Sequence, residues 1–245
     1  MLVYFNEFKF LIDNYKNVVN NLIGFSKKKN SKIILPCSLN DFALSKNNFL
    51  YKSVDLCVSD SMLLTWWFNF KYRHVSTARA YGPDLFGSLL KYLNNSNNKL
   101  KVSFLVSSKI TCEVFKDKIK KKYPDINSHF YFLLGFSKSK EHSILDEIIL
   151  LNPRVIFLGI GSPKQIELAV YLKKRLKNCT IFCVGAAFDF FSDRKKQAPV
   201  WIRKSGLEWF FRLVTEPRRL WKRYLVIIPG YLFSLLFKKI FKNNL

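Results

Sequence analysis

Acidic residues are scarce in this chain. Asp and Glu number 17 against 41 Lys and Arg, a formal charge of +24. An excess of that size implies polyanionic partners without saying which: nucleic acid, an anionic membrane surface and a phosphorylated substrate all qualify. Paired cysteines are missing too. Cys37, Cys57, Cys112, Cys179 and Cys183 are odd in number, none forms a CxxC, and His74, His129 and His142 lie far apart. A disulfide framework and a structural zinc site are therefore not expected, and the cysteines read as small buried residues of a reducing compartment. No run reaches the roughly 18 uncharged apolar residues of a spanning helix. The nearest, "YLVIIPGYLFSLLF" (224–237), is broken by Pro229-Gly230 and bracketed by Lys and Arg, a pattern suited to lying in a membrane interface. Asn6, Glu7 and Lys9 interrupt the opening segment where a secretory leader would carry its apolar core, so none is expected.

What is present is ample core. Apolar residues make up 49% of 245 positions, with 24 phenylalanines, enough for one large domain or one domain plus an appendage. "KIILP" (32–36), "VDLCV" (54–58), "KVSFLV" (101–106), "HFYFLL" (129–134), "RVIFLGIG" (154–161) and "TIFCVGAA" (180–187) read as strands. Segments 82–94, 109–122, 139–151 and 163–176 read as helices, the last with Ser162 as N-cap and Pro163 as first helical residue. This alternation predicts an α/β fold, a mostly parallel sheet with helices on both faces. There is no internal repeat, and "NNSNN" (94–98) is a polar connector. After Ala187 the character changes. Residues 194–245 hold thirteen Lys and Arg against Glu208 and Glu216 alone, with no strand pattern. Pro199 and Pro217 punctuate helices there, with Thr215 able to cap the second. The expected division is an α/β core over 1–193 and a basic, aromatic-rich helical appendage over 194–245.

Several segments can carry chemistry. "GIGSPKQ" (159–165) follows a strand and opens a helix, where free N–H groups favour an anion or a sugar hydroxyl. Its third glycine is missing, so it is no dinucleotide fingerprint; a plain tight turn is the alternative. Asp60, just beyond a strand in "LCVSDSM" (56–62), stands where ligands bind open parallel sheets and is a candidate base or a helix cap. In "RAYGPDLF" (79–86), Asp84 has the same two readings and Arg79 is a pocket or a surface residue. Arg212, Arg219 and Arg223 recur near helical spacing and could clamp a diphosphate or form a solvated basic face. Their neighbours Trp201, Trp209, Phe210, Phe211 and Trp221 favour a membrane interface.

Taken together, "VSDSM", "RAYGPDLF", "GIGSPKQ", "CVGAAFDFF", "QAPVWIRKSGLEWFFRL" and "TEPRRLWKRYL" resemble, in order and spacing, the bacterial glycosyltransferases of the WecG/TagA/CpsF type, from about Ile33 to Tyr224. The resemblance implies a Rossmann-like domain with a C-terminal, membrane-meeting appendage at the inner face of the cytoplasmic membrane. It implies inverting, metal-independent transfer of a sugar, often of the N-acetylmannosamine type, from a UDP donor to an undecaprenyl-diphosphate-linked sugar. Asp60 matches the general base. Arg212, Arg219 and Arg223 match the arginines that meet the leaving diphosphate. Ser38, standing where a threonine is usual, and Asn40 in "CSLND" (37–41), with Arg79, Gly82 and Asp84, and Gly161, Pro163 and Gln165, fall at substrate-binding positions. Four further residues depart from the usual pattern: Ser61 for glycine, Ile166 for glutamate, Asp193 for glycine and Gln197 for arginine. These bear on the donor sugar more than on the reaction class.

The expected partners are thus the UDP-sugar, the lipid-linked acceptor and anionic lipid, with no cofactor, and self-association left open. Three rivals are weaker. The basic tail carries no nucleic-acid reading motif, a nucleotide-dependent oxidoreductase would need the full glycine fingerprint, and a non-catalytic membrane subunit leaves the core motifs without a role.

Overall fold

The computed structural model describes residues 1–26, 29–96, 99–133 and 142–242. Strands β1 (Leu2–Phe5) and β2 (Phe8–Leu11) form a hairpin followed by α1 (Tyr15–Ser26). Next come β3 (Lys32–Cys37), α2 (Leu39–Ser45), β4 (Leu56–Ser59), α3 (Met62–Lys71) and α4 (Gly82–Asn95). The sheet is completed by β5 (Lys101–Val106), α5 (Lys109–Lys122), β6 (Asn127–Phe132), α6 (His142–Leu151), β7 (Val155–Gly159), α7 (Lys164–Lys173) and β8 (Thr180–Cys183). Five helices follow: α8 (Ala187–Phe191), α9 (Val200–Lys204), α10 (Glu208–Thr215), α11 (Pro217–Trp221) and α12 (Ile228–Lys242). A wide π-type turn, Lys222–Ile227, joins the last two.

The eight strands lie in the order β1-β2-β4-β3-β8-β7-β5-β6. All neighbours run parallel except β1 and β2, an antiparallel edge. Strand residues alternate between two cores because successive side chains leave a sheet on opposite faces. Ile33, Leu35, Leu105, Ile156, Leu158 and Ile181 join α2, α3, α6 and α7 on one face. Ile34, Phe104, Val155, Phe157 and Phe182 join α1, α4, α5 and α8 on the other. All five cysteines are buried and free, as their spacing implied. The expected parallel sheet with two helical layers is therefore present.

Local differences have physical causes. The hairpin β1–β2 was not anticipated; its strands are four residues each, and Asn6 turns the chain in a left-handed conformation (φ 52°). Helix α7 starts at Lys164, one residue after the predicted Pro163. Ser162 uses its hydroxyl on side chains, donating to Asp41 Oδ1 at 2.9 Å, and does not cap the helix. Thr215 ends α10 with its hydroxyl donating back to the Phe211 carbonyl (3.0 Å), and Glu216 is the residue that precedes α11. The predicted strand at 129–134 is β6, begun two residues earlier; position 134, helix residues 139–141 and positions 97–98 lie outside the described residues. Asp193 sits at φ 56°, which explains why a glycine suits that position.

Beyond Cys183 the described residues contain no strand. The C-terminal helices are seated on the core: Tyr231 is buried, its ring 6.3 Å from Phe42, and its hydroxyl accepts from Asn6 Nδ2 at 3.1 Å. One face of the greasy segment 224–237 is thus committed to protein, while Leu225, Val226, Leu232 and Phe233 stay exposed.

Candidate active site

Strands β4, β3, β8 and β7 are neighbours, and the chain reverses its direction of travel across the sheet at this point. Their carboxyl ends open a crevice, the place where open α/β sheets bind ligands. The loops after β3, β4, β7 and β8 supply Ser38, Asp60, Gly161 and Gly185, and the C-terminal helices close over them. Two cavities result. The inner one, about 180 Å³, is polar: Asp41, Gly82, Gly161, Ser162, Gln165 and the backbone at 184–187 line it, with Arg219 at its edge. The outer one, about 310 Å³, is mainly apolar, bounded by Leu39, Met62 and Leu63 of the core and by Trp209, Tyr224, Ile228 and Leu232 of the C-terminal helices. Ser38, Asn40, Asp60, Arg212 and Arg223 line both. They form the junction.

Asp60 is held from two sides. Its backbone N–H donates to the Cys37 carbonyl at 3.1 Å, and its Oδ1 accepts from the Gly82 N–H at 2.9 Å, at the start of α4. The capping role weighed for this residue is thus real, but it serves α4 and not the adjacent α3. Among the described residues no hydrogen bond reaches Oδ2. Burial pushes the Asp60 carboxyl up to about 6 and Glu208 adds to the rise, against the opposing pull of Arg79, the Gly82 N–H and Arg212. A carboxyl near 6 is ionised at neutral pH yet basic enough to take a proton.

Arg79 ties this aspartate to the C-terminal helices. Its Nε donates to the Asp60 carbonyl, its Nη1 to the Arg203 carbonyl at 3.3 Å, and its Nη2 pairs with Glu208 Oε2 at 2.7 Å. Both charged groups are largely buried, and the guanidinium also lies 4.4 Å from the Tyr81 ring centroid. A buried pair of this kind is destabilising when only one partner remains, so it locks α10 against the Asp60 loop.

The three arginines come from three segments, α10, α11 and the π-type turn, brought together by the bend at Thr215–Pro217. A single helical face does not carry them. Arg212 Nε and Arg223 Nε are buried without an acceptor among the described residues, while Arg223 Nη2 donates to Ser38 Oγ at 3.2 Å. Arg219 is half exposed and grips Glu216 through Nε (2.7 Å) and Nη2 (2.9 Å). Glu216 in turn meets Lys195, which pairs with Asp189. Cationic donors unpaired at a cavity wall are suited to an incoming phosphate.

In the inner cavity, Gly161 takes φ 90°, a conformation that side chains disfavour. Asp41 accepts from the Ser38 N–H (2.9 Å), the Ser38 hydroxyl (2.7 Å) and the Ser162 hydroxyl (2.9 Å), fastening two loops to each other. Gln165 Nε2 donates to Ser162 Oγ at 2.9 Å, leaving the buried Gln165 Oε1 unpartnered.

The structure thus gathers Asp60, Ser38, Asn40, Arg79, Gly82, Gly161, Gln165, Arg212, Arg219 and Arg223. Pro163 shapes the loop without lining either cavity. Asp84, exposed in the first turn of α4, pairs with Arg203 at 3.1 Å and borders a separate surface depression. Ser61 lines the outer cavity, whereas Ile166 is buried in the core. Sequence reasoning passed over Asp41 and Glu208, although both stand inside the quoted motifs "CSLND" and "GLEWFFRL".

Known proteins resemble this chain over most of its length. The sequence profile described as the Glycosyl transferase WecG/TagA/CpsF family matches residues 6–245. An N-acetylglucosaminyldiphosphoundecaprenol N-acetyl-beta-D-mannosaminyltransferase of Bacillus subtilis (strain 168) is 32% identical over 165 residues, covering 65% of this chain and 60% of that protein. The protein of the same name from Staphylococcus aureus (strain NCTC 8325 / PS 47) is 27% identical over 160 residues, covering 64% and 59%. The matched region therefore spans about 60% of the length of these relatives. With a profile match over nearly its whole length, the chain belongs to the glycosyl transferase WecG/TagA/CpsF family.

Proposed function

We propose that this chain is an inverting glycosyltransferase that moves a sugar of the N-acetylmannosamine type from a UDP donor to an N-acetylglucosamine linked to undecaprenyl diphosphate. The names of the two relatives supply the acceptor and the sugar, and the family implies the UDP donor. The observation that carries the reading is the position of Asp60 on the wall common to a polar and an apolar cavity.

In this reading the donor occupies the inner cavity and the lipid-linked acceptor enters through the outer one. Asp60 Oδ2 takes the proton of the acceptor hydroxyl as that oxygen bonds to the anomeric carbon. The bond from the anomeric carbon to the diphosphate oxygen breaks on the opposite face, which inverts the configuration, and its electron pair leaves with UDP. Arg212, Arg219 and Arg223 balance the charge growing on that diphosphate, so the chemistry is proposed to run without a metal. Gly161, at φ 90° and without a side chain, gives the donor close approach to the main chain of the loop after β7.

No helix among the described residues is long and apolar enough to cross a membrane. We place the protein peripherally on the inner face of the cytoplasmic membrane. Support comes from the exposed Trp201, Phe210, Val214, Trp221, Leu225 and Phe233 among exposed cations of the C-terminal helices. Residues 194–245 then act as a membrane-docking, site-completing appendage.

The test is a UDP-sugar screen against a short-chain lipid-diphosphate N-acetylglucosamine analogue, read by mass. A gain of one N-acetylhexosamine is expected. No gain with any UDP-sugar overturns the reading.

A further inference from the structure

Between its ends helix α3 has no solvated polar face: Thr65 bonds Ser59 and Ser61, and Asn69 bonds the Thr77 backbone. Leu64 and Phe68 are buried in the core, which is ordinary for a helix covering a sheet. Leu63, Trp66 and Phe70, spaced three and four apart and therefore on one face, point the other way and are 50%, 47% and 70% exposed. A helix with apolar residues on a second face, away from the core, is normally covered there too. This one is open to its surroundings, so its outer face needs a cover.

The patch continues into the C-terminal helices. A side chain on Gly206 (φ 77°) would come within 2.7 Å of the Trp66 ring, so the main chain between α9 and α10 lies directly against α3. Leu63 lines the outer cavity together with Ile228 and Leu232. Exposed cations accompany this surface: Arg73 lies 5.4 Å from the Phe70 ring centroid and Lys71 4.9 Å from that of Trp67, while Lys204, two residues before Gly206, and Arg218 and Lys222 are exposed on the C-terminal segments. Cations at the edge of an apolar surface match anionic lipid headgroups above a hydrocarbon layer. A second copy of the chain is a poorer match, because each copy carries +24 and the two would repel.

We propose that α3 enters the interfacial layer of an anionic bilayer alongside the C-terminal helices, so that both walls of the outer cavity rest on lipid. The inference deepens, and rests on, the reading of this site as one that takes a lipid-linked acceptor. Membrane contact is then not confined to residues 194–245. It reaches the core through a helix that begins two residues after Asp60, and the mouth of the outer cavity faces the layer in which the acceptor's lipid is dissolved.

The experiment is sedimentation of the full chain with phosphatidylcholine–phosphatidylglycerol vesicles. Phe70→Glu and the uncharged Phe70→Ser are each expected to weaken binding by about tenfold, the order of effect of removing one aromatic ring from an apolar layer. Leu150→Glu, equally greasy and exposed but on α6, which lines neither cavity, is expected to bind as the parent does. Transfer to the short-chain acceptor in solution stays unchanged in all three, which also reports that they fold. Unchanged vesicle binding by both Phe70 variants overturns the proposal. So does a shift from dimer to monomer in sedimentation velocity with vesicle binding intact, since the face would then belong to a second copy. If the parent transfers no sugar at all, the enzymatic reading fails, yet the vesicle assay still decides whether α3 meets lipid.

Discussion

The two cavities that meet at Asp60 are built by different means. The inner one is made from the ends of four adjacent strands, lined there mainly by small residues and capped by Arg212, Arg219 and Arg223. Ladder-like bonds set it: the Val184 and Gly185 N–H groups both donate to the Leu158 carbonyl at 2.9 and 3.1 Å, and Asp41 binds the loops after β3 and β7 together. The outer cavity has one wall from the core and one from α10, the π-type turn and α12. Its second wall is held by a few long-range contacts, chiefly Arg79–Glu208 and Tyr231–Asn6. A sheet end is fixed once the sheet forms, whereas a docked helix is only as firm as the contacts that seat it. The strand-end lining of the inner cavity is thus preformed, whereas its three arginines and the second wall of the outer cavity depend on the C-terminal helices.

The junction gives the largest expected effect. Asp60→Asn keeps the shape and an acceptor for the Gly82 N–H but removes the base, so turnover is expected to fall by about 10²- to 10⁴-fold with UDP binding nearly unchanged in calorimetry. With Asp60 as the proposed base, the ionised carboxylate is the competent form, so turnover is expected to decline as pH falls through about 6. Stability runs the opposite way. A carboxyl raised from 3.8 to about 6 by burial favours the fold while protonated and costs stability as pH rises through 6. Asp60→Asn is therefore expected to unfold at a higher temperature than the parent above pH 6, by up to about 3 kcal/mol, with the gain vanishing near pH 4. A variant that is inactive and no more stable at pH 8 would separate Asp60 from its buried setting.

Next come the arginines that bridge the halves. Arg212 has a buried, unpartnered Nε, whereas Arg219 is half exposed and already paired with Glu216. Arg212→Ala is expected to lower kcat by about 10²-fold, as for the loss of one preorganised donor to a developing charge. Arg219→Ala is expected to cost roughly tenfold, because an exposed ion pair is worth less. Equal losses would mean that the structure's difference in burial has no bearing on catalysis.

Glu208 tests the seating of the outer cavity's second wall. Removing one partner of a buried pair costs about 3 to 5 kcal/mol; Gln keeps an acceptor for Arg79 and retains part of it. Glu208→Gln also deletes a negative charge that raises the Asp60 carboxyl. The acid limb of the rate profile should therefore move below pH 6, while kcat falls about tenfold as α10 loosens. A loss of rate with the limb unmoved would reduce Glu208 to a structural brace.

These residues also mark how far the sequence can be read. The strands around "KIILP" and "RVIFLGIG" are legible because β-branched and aromatic runs bounded by Gly and Pro have little choice in an α/β pattern. Asp60 is legible for the same reason: a polar residue just past a buried strand has a location before it has a partner. Helix α3 is not legible, since Leu63 to Phe70 is apolar but for Thr65 and Asn69 and its apolar residues show no clear helical period. The hairpin of β1 and β2 escapes notice because four-residue strands carry too few alternations. Glu208 is hidden for a different reason. Its partner lies 129 positions away, and an ion pair across that distance exists only once the fold has brought α10 over the Asp60 loop.

Asp84 gives the smallest expected effect and sharpens the boundary of the site. By motif it belongs with Arg79 and Gly82, yet its carboxylate lies in the exposed first turn of α4, paired with Arg203 on the outside of the crevice. Surface pairs of this kind contribute about 0.2 to 1 kcal/mol, and Arg203 keeps its backbone contact with Arg79 when the carboxylate is gone. Asp84→Ala is therefore expected to change kcat and the donor KM by less than about twofold, with a small drop in melting temperature. A loss of more than about tenfold in kcat/KM would place Asp84 against substrate, which would require α4 to shift its first turn towards the inner cavity when the donor binds.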